Sequence, residues 1–162
     1  MKKESNECNS RIEKIDEMLV LINSAREAAR EVARLYDQAD ERDFGLGHLL
    51  RVLFQPRRGV WNQIPQVNSS KMNRAQQKSQ HLRNLLREIQ QKGNEAQVGQ
   101  VHFDCLRLQG PSLGTLIPTR GTIKQDYDIV DSNQSQMTNL FGELRQLEAK
   151  VKSIRQRRGK EL

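Results

Sequence analysis

Lys71, Arg74, Lys78 and His81 recur at 3-4-3 spacing, and Arg83 and Arg87 follow close behind. On a helix, that spacing gathers the first four into a basic stripe along one edge of an apolar face, with Arg83 and Arg87 on the other edge. Such a stripe can track the phosphates of a nucleic acid, with Arg57, Arg58 and Trp61 upstream as further contacts. It can equally flank a hydrophobic seam and select a partner helix of opposite sign. Aromatic residues make up only 4% of the chain, which leaves little for binding unpaired bases by stacking.

Other residues with chemical potential are sparse. His48, His81 and His102 fall in three separate segments, so no cluster of imidazoles is legible. His102-Phe103-Asp104-Cys105 would set His102 and Asp104 on one face of a strand and Cys105 on the other. A metal centre or an activated nucleophile needs further ligands or a base that the neighbouring sequence does not offer. Gly45-Leu46-Gly47 lacks the lysine and the preceding strand of a phosphate-cradling loop. The acidic pairs Asp16-Glu17 and Asp40-Glu41 fit the solvated face of a first helix. The expectation is a protein that is not an enzyme and carries neither cofactor nor metal.

The two cysteines, Cys8 and Cys105, lie far apart and form neither a disulfide framework nor a zinc pattern. They fit a reducing compartment, cytoplasmic or nuclear. The longest purely apolar run, Met18 to Ile22, falls well short of a membrane span. Nor does an apolar core follow Lys2 and Lys3, as a secretory leader would require.

Charge is unevenly distributed within the net +7. Residues 1–43 hold 8 basic and 11 acidic side chains, whereas residues 44–97 hold 9 basic and 2 acidic. A first segment of net −3 therefore precedes a second of net +7.

The elements that must carry these residues show in the apolar pattern. Three stretches place apolar residues at alternating three- and four-residue intervals, which defines one narrow stripe on a helix. The first comprises Ile12, Ile15, Leu19, Ile22, polar Arg26, Ala29, Ala33 and Tyr36. The second is Met72, Ala75, Ser79, Leu82, Leu86 and Ile89. The third is Val130, polar Asn133, Met137, Leu140, Leu144, Leu147, Val151 and Ile154. A narrow stripe buries too little apolar surface to sustain a lone helix, so each is a seam for a partner helix.

Local signals suggest the boundaries. Ser10 and Glu13 have the spacing of a capping box, which predicts a first helix from Ser10 to about Asp43, stopped by Gly45 and Gly47. Leu46, Leu49, Leu50, Leu53 and Phe54 predict a short amphipathic helix ended by Pro56. Residues 56–69 read as a loop, Ser69 or Ser70 as the cap of the second helix, and Lys92-Gly93-Asn94 as its end. Between 97 and 124, alternation through Val101, Phe103 and Cys105 and a turn at Gly110-Pro111-Ser112 predict a β-hairpin. A third helix then runs from Asp126 or Asp128 to about Arg158, with Gly159 as its stop.

The resulting picture is mainly all-α: an elongated bundle or coiled coil of three long helices, one short helix and a β-hairpin-like insertion. Its parts are an acidic helix plus the short helix (1–55), a loop (56–69), and a helical hairpin with a β-like insertion (70–162). Such a chain is expected to be a coiled-coil subunit that assembles or tethers a multiprotein complex. Its protein partners, in a homo- or hetero-oligomer, would meet the helix seams. The alternative is nucleic-acid binding through the basic segment 51–92.

Overall fold

A computed structural model describes residues 2–42, 65–103, 106–112 and 118–160, with backbone alone at 2–5 and 160. The described chain is mostly helical: α1 (Lys2–Ala39), α2 (Ser69–Glu95) and α3 (Arg120–Lys160), with no strand among the described residues. The predicted short helix at 46–54 lies outside the described residues.

Helix α1 packs along both other helices. Ion pairs fix the directions. Glu17 and Glu31 of α1 meet Lys92 and Lys78 of α2, so these helices run antiparallel. Asp16, Arg26 and Arg42 meet Arg155, Glu148 and Asp131, so α3 is antiparallel to α1 as well. It follows that α2 and α3 are parallel, and the expected helical hairpin between them does not form. Parallel helices need a return connection, and residues 98–103 and 106–112 belong to it as extended chain between α2 and α3. Val101 lies against Gly93, Gly110 beside Asn73 and Gln76, and Ser112 N donates to Asp126 Oδ1 at 2.8 Å.

The core is the meeting of the three stripes. Ile15, Met18, Ile22, Ala25, Ala29 and Tyr36 of α1 are buried against Met72, Leu82, Leu86 and Ile89 of α2. Met137, Leu140, Leu144 and Val151 of α3 close the other side, and Phe103 and Leu108 of the return segment fill the gap between α2 and α3. Burying a side chain of this size contributes about 1.5–3 kcal/mol relative to leaving it in water. Among the described residues, Val20, at 66% exposure, is the large apolar side chain left to solvent.

Among the described residues the predicted β-hairpin is therefore not formed. Alternation does bury Phe103 and Leu108, but no second strand pairs with them among the described residues. The backbone of the return segment bonds instead to side-chain amides of α3.

Several ends also move. α1 starts eight residues before Ser10, because neither glycine nor proline interrupts residues 2–9. It stops at Ala39 because the Asp40 carboxylate accepts from Arg42 N at 3.0 Å and turns the chain out of the helix. Asn68, rather than Ser69 or Ser70, caps α2, its side chain accepting from Lys71 N. At the other end of α2, Gln97 adopts a left-handed conformation (φ 56°) while its N–H reaches Asn94 O, and Val98 N reaches Gly93 O. That leaves Gly93 inside the helix, where its missing side chain lets Val101 approach: a Cβ there would lie 2.7 Å from Val101 Cγ2. α3 begins early because Thr119 and Thr122 cap each other, Thr119 N donating to Thr122 Oγ1 and Thr122 N to Thr119 Oγ1. Gly159 falls within α3, not beyond it.

Candidate interaction surfaces

The seam residues converge inside the chain. Ile12, Ile15, Ile22, Leu82, Leu86, Ile89, Leu140, Leu144, Leu147 and Val151 are buried, and Leu19 and Ile154 pack against them partly covered. Each helix finds its partner in the same polypeptide.

The polar residues on the seams each have a task within the fold. Arg26 forms an ion pair with Glu148. The Ser79 hydroxyl donates to Gln76 O one turn back at 2.5 Å. Asn133, 1% exposed, accepts from Gln109 N at 3.2 Å and donates to Gln109 O at 2.8 Å. Three residues on, Gln136 does the same for Arg107, at 2.7 and 3.2 Å. Two side-chain amides thus satisfy the alternate N–H and C=O groups that a neighbouring strand would otherwise satisfy.

Charge lines the outer rim of the α1–α2 contact. Lys78 binds Glu31 and holds its carboxyl below the ordinary range, while Glu17, 2.8 Å from Lys92, raises the Lys92 ammonium. At the far end of α1, Arg42 bridges Asp40 and Asp131 and lies 4.5 Å from the centre of the Tyr127 ring. The Arg42 hydrogen bond lowers Asp40 against the opposing effect of burial.

The predicted basic stripe is consequently divided. Lys78 is engaged by α1, Lys71 is half-exposed, and Arg74 and His81 are exposed. On the other edge Arg87 is exposed, whereas Arg83 is half-buried and its Nε has no partner. Arg83 acts on the nearby Tyr36 phenol, whose hydroxyl is likewise unpartnered and which burial pushes up to about 12. Arg57, Arg58 and Trp61 lie outside the described residues.

A second basic feature combines residues from distant segments. Where the N-terminal part of α1, the turn after α2 and the end of α3 meet, a cleft of about 520 Å³ is lined by Arg11, Gln97, Val98, Gly99, Ile154, Arg157 and Arg158. Arg158 donates to Ala96 O and Gln97 O at 3.3 and 3.5 Å, covering the carbonyl end of α2. Lys150 Nζ lies 3.2 Å from the point a Gly99 Cβ would occupy. Arg155 points away to Asp16, at 3.0 Å. The sequence marks the C-terminal arginines as a basic end; Arg11, more than a hundred positions away, carries no local signal of joining them.

No group of three or more histidine, cysteine, aspartate or glutamate side chains suited to a metal occurs among the described residues. Nor is any described helix long and apolar enough to cross a membrane. No protein-family profile, curated protein sequence or solved structure matches this chain.

Proposed function

We propose that this chain is a non-enzymatic helical subunit that assembles or tethers a multiprotein complex in a reducing compartment, cytoplasm or nucleus. One observation carries the reading: the apolar seams turn inward, and the described exterior is left to charged side chains on long, stiff helices. Helix α3, at 41 residues, is about 60 Å long at 1.5 Å per residue. A rod of this kind suits spacing and docking of other components. Because its own helices fill the seams, partner contact falls to the charged surface and to the apolar pattern of Leu46, Leu49, Leu50, Leu53 and Phe54. The net charge of +7 favours partners with acidic surfaces.

Co-purification of the native protein, with and without nuclease, followed by mass measurement of the complex, tests this reading. A protein partner of fixed stoichiometry that survives nuclease is the expected outcome. Loss of all partners on nuclease treatment would transfer the assignment to the second reading, nucleic-acid binding through residues 51–92. That reading is favoured by Arg74, His81 and Arg87, which are exposed, and by His81 and Arg87 having no ion pair among the described residues, whereas Arg74 lies near enough to Glu31 to act on its carboxyl. It requires Arg74→Glu and Arg87→Glu each to reduce the salt slope of binding by about one.

A further inference from the structure

The geometry points to the cleft between α1, the turn after α2 and the end of α3 as a binding site for a small organic phosphate, its phosphate held between Arg11 and Arg157. The simpler role for arginines at this pole is to offset the carbonyl ends of α2 and α3. Each helix end carries about half a negative charge, so the two together amount to roughly −1. Four cations stand against that: Arg11, Lys150, Arg157 and Arg158, with no acidic side chain lining the cleft among the described residues. Arg158 covers the α2 carbonyls, and Arg155 is spent on Asp16. Arg11 and Arg157 have no ion pair among the described residues. An arginine fork matches phosphate oxygens two at a time, and two forks from different helices fix the position of the group. The backbone amides of Gln97 and Val98 do not compete for this role, since they are already bonded to Asn94 O and Gly93 O. At about 520 Å³ the cleft exceeds what a lone phosphate fills, and Ile154 and Val98 give the remainder an apolar wall. A phosphate ester with an uncharged organic part fits that combination. This assignment is independent of the partner proposed above, because it concerns the free protein.

The test is a titration of the full chain at constant ionic strength with inorganic phosphate, adenosine monophosphate and a short single-stranded oligonucleotide. It is followed by the amide NMR signals of Gln97, Val98 and Gly99. Saturable shifts with the monophosphate, at least severalfold tighter than with inorganic phosphate, are expected. The paired substitution Arg11→Gln with Arg157→Gln should weaken binding about tenfold or more. Arg30→Gln with Arg145→Gln removes the same charge from exposed positions away from the cleft and should leave affinity unchanged. Equal weakening in the two pairs would reduce the effect to net charge and overturn the site. Absence of saturation, monophosphate binding no tighter than inorganic phosphate, or binding of the oligonucleotide alone would overturn it too.

Discussion

Helix α1 meets α2 side by side, apolar stripe to apolar stripe with a rim of ion pairs, whereas α2 and α3 are joined through the extended chain of residues 98–103 and 106–112. Both contacts use the same 3-4 spacing of apolar residues, yet they need different chemistry. A helix brings its backbone groups already satisfied, so the α1–α2 contact needs only shape and opposite charge at the edge. An extended segment brings open N–H and C=O groups, and burying them without partners would be costly. Asn133 supplies Gln109 with partners in a part-buried pair of bonds, and Gln136 does so for Arg107 in an exposed pair. The apolar stripe of α3 thus carries an asparagine because its neighbour there is backbone, not another helix.

The contrast can be broken, and the largest effect belongs to the apolar seam. Ile22→Ala should lower stability by about 2–5 kcal/mol in denaturant unfolding, since Ile22 is fully buried at the centre of α1. Gly93→Ala probes the fit of the return segment: its Cβ would crowd Val101 and should cost about 1–3 kcal/mol, largely recovered by adding Val101→Ala. Failure of that rescue would mean the segment does not press on α2 as described. Asn133→Ala removes a part-buried pair of bonds made by a buried amide and should cost about 1–3 kcal/mol, whereas Gln136→Ala should stay within about 0.5 kcal/mol because its bonds to Arg107 are exposed to water. Equal losses for the two amides would dissolve the distinction between a part-buried and an exposed pair of bonds.

Changes of pH sharpen the same comparison with smaller effects. Burial pushes both Tyr36 and Tyr127 up to about 12 from 10, so the fold favours the protonated phenols. Their contribution is fully present below pH 10 and is lost as pH rises through about 12. Helical circular dichroism should fall together with phenolate absorbance in that window. The α1–α2 rim responds at the acid end. The Glu31 carboxyl lies below its ordinary 4.5 because of Lys78, so its contribution is present above 4.5 and is lost as pH falls through the lowered value. Glu31→Gln should flatten this acid response slightly and leave the alkaline one untouched.

The seams were legible because helical burial has a period that a short window of sequence contains. Met72 to Ile89 shows it without reference to any other element. Direction was not legible: nothing local in α3 distinguishes a helix parallel to α2 from one folded back against it, and the deciding pairs, such as Asp16 with Arg155, are 139 positions apart. The alternation around Phe103 predicted a β-hairpin that does not form among the described residues, because a local pattern does not say what the segment pairs with. Its partners are amides 24 and 29 positions downstream, on a helix. The cleft was not legible: the arginines at the end of α3 read as a solvated helix end, and Arg11 lies more than a hundred positions away.

Placing α1 at the centre has a consequence for how the chain closes on itself. Its contact with α2 closes a loop of 47 positions at Glu31 and Lys78, while its contact with α3 closes one of 139 at Asp16 and Arg155. Loop-closure entropy makes the longer of these costlier by roughly 1 kcal/mol. During synthesis the α3-facing side of α1 is made before α2 and covered after it, so a nascent chain carries bare apolar surface until α3 has emerged.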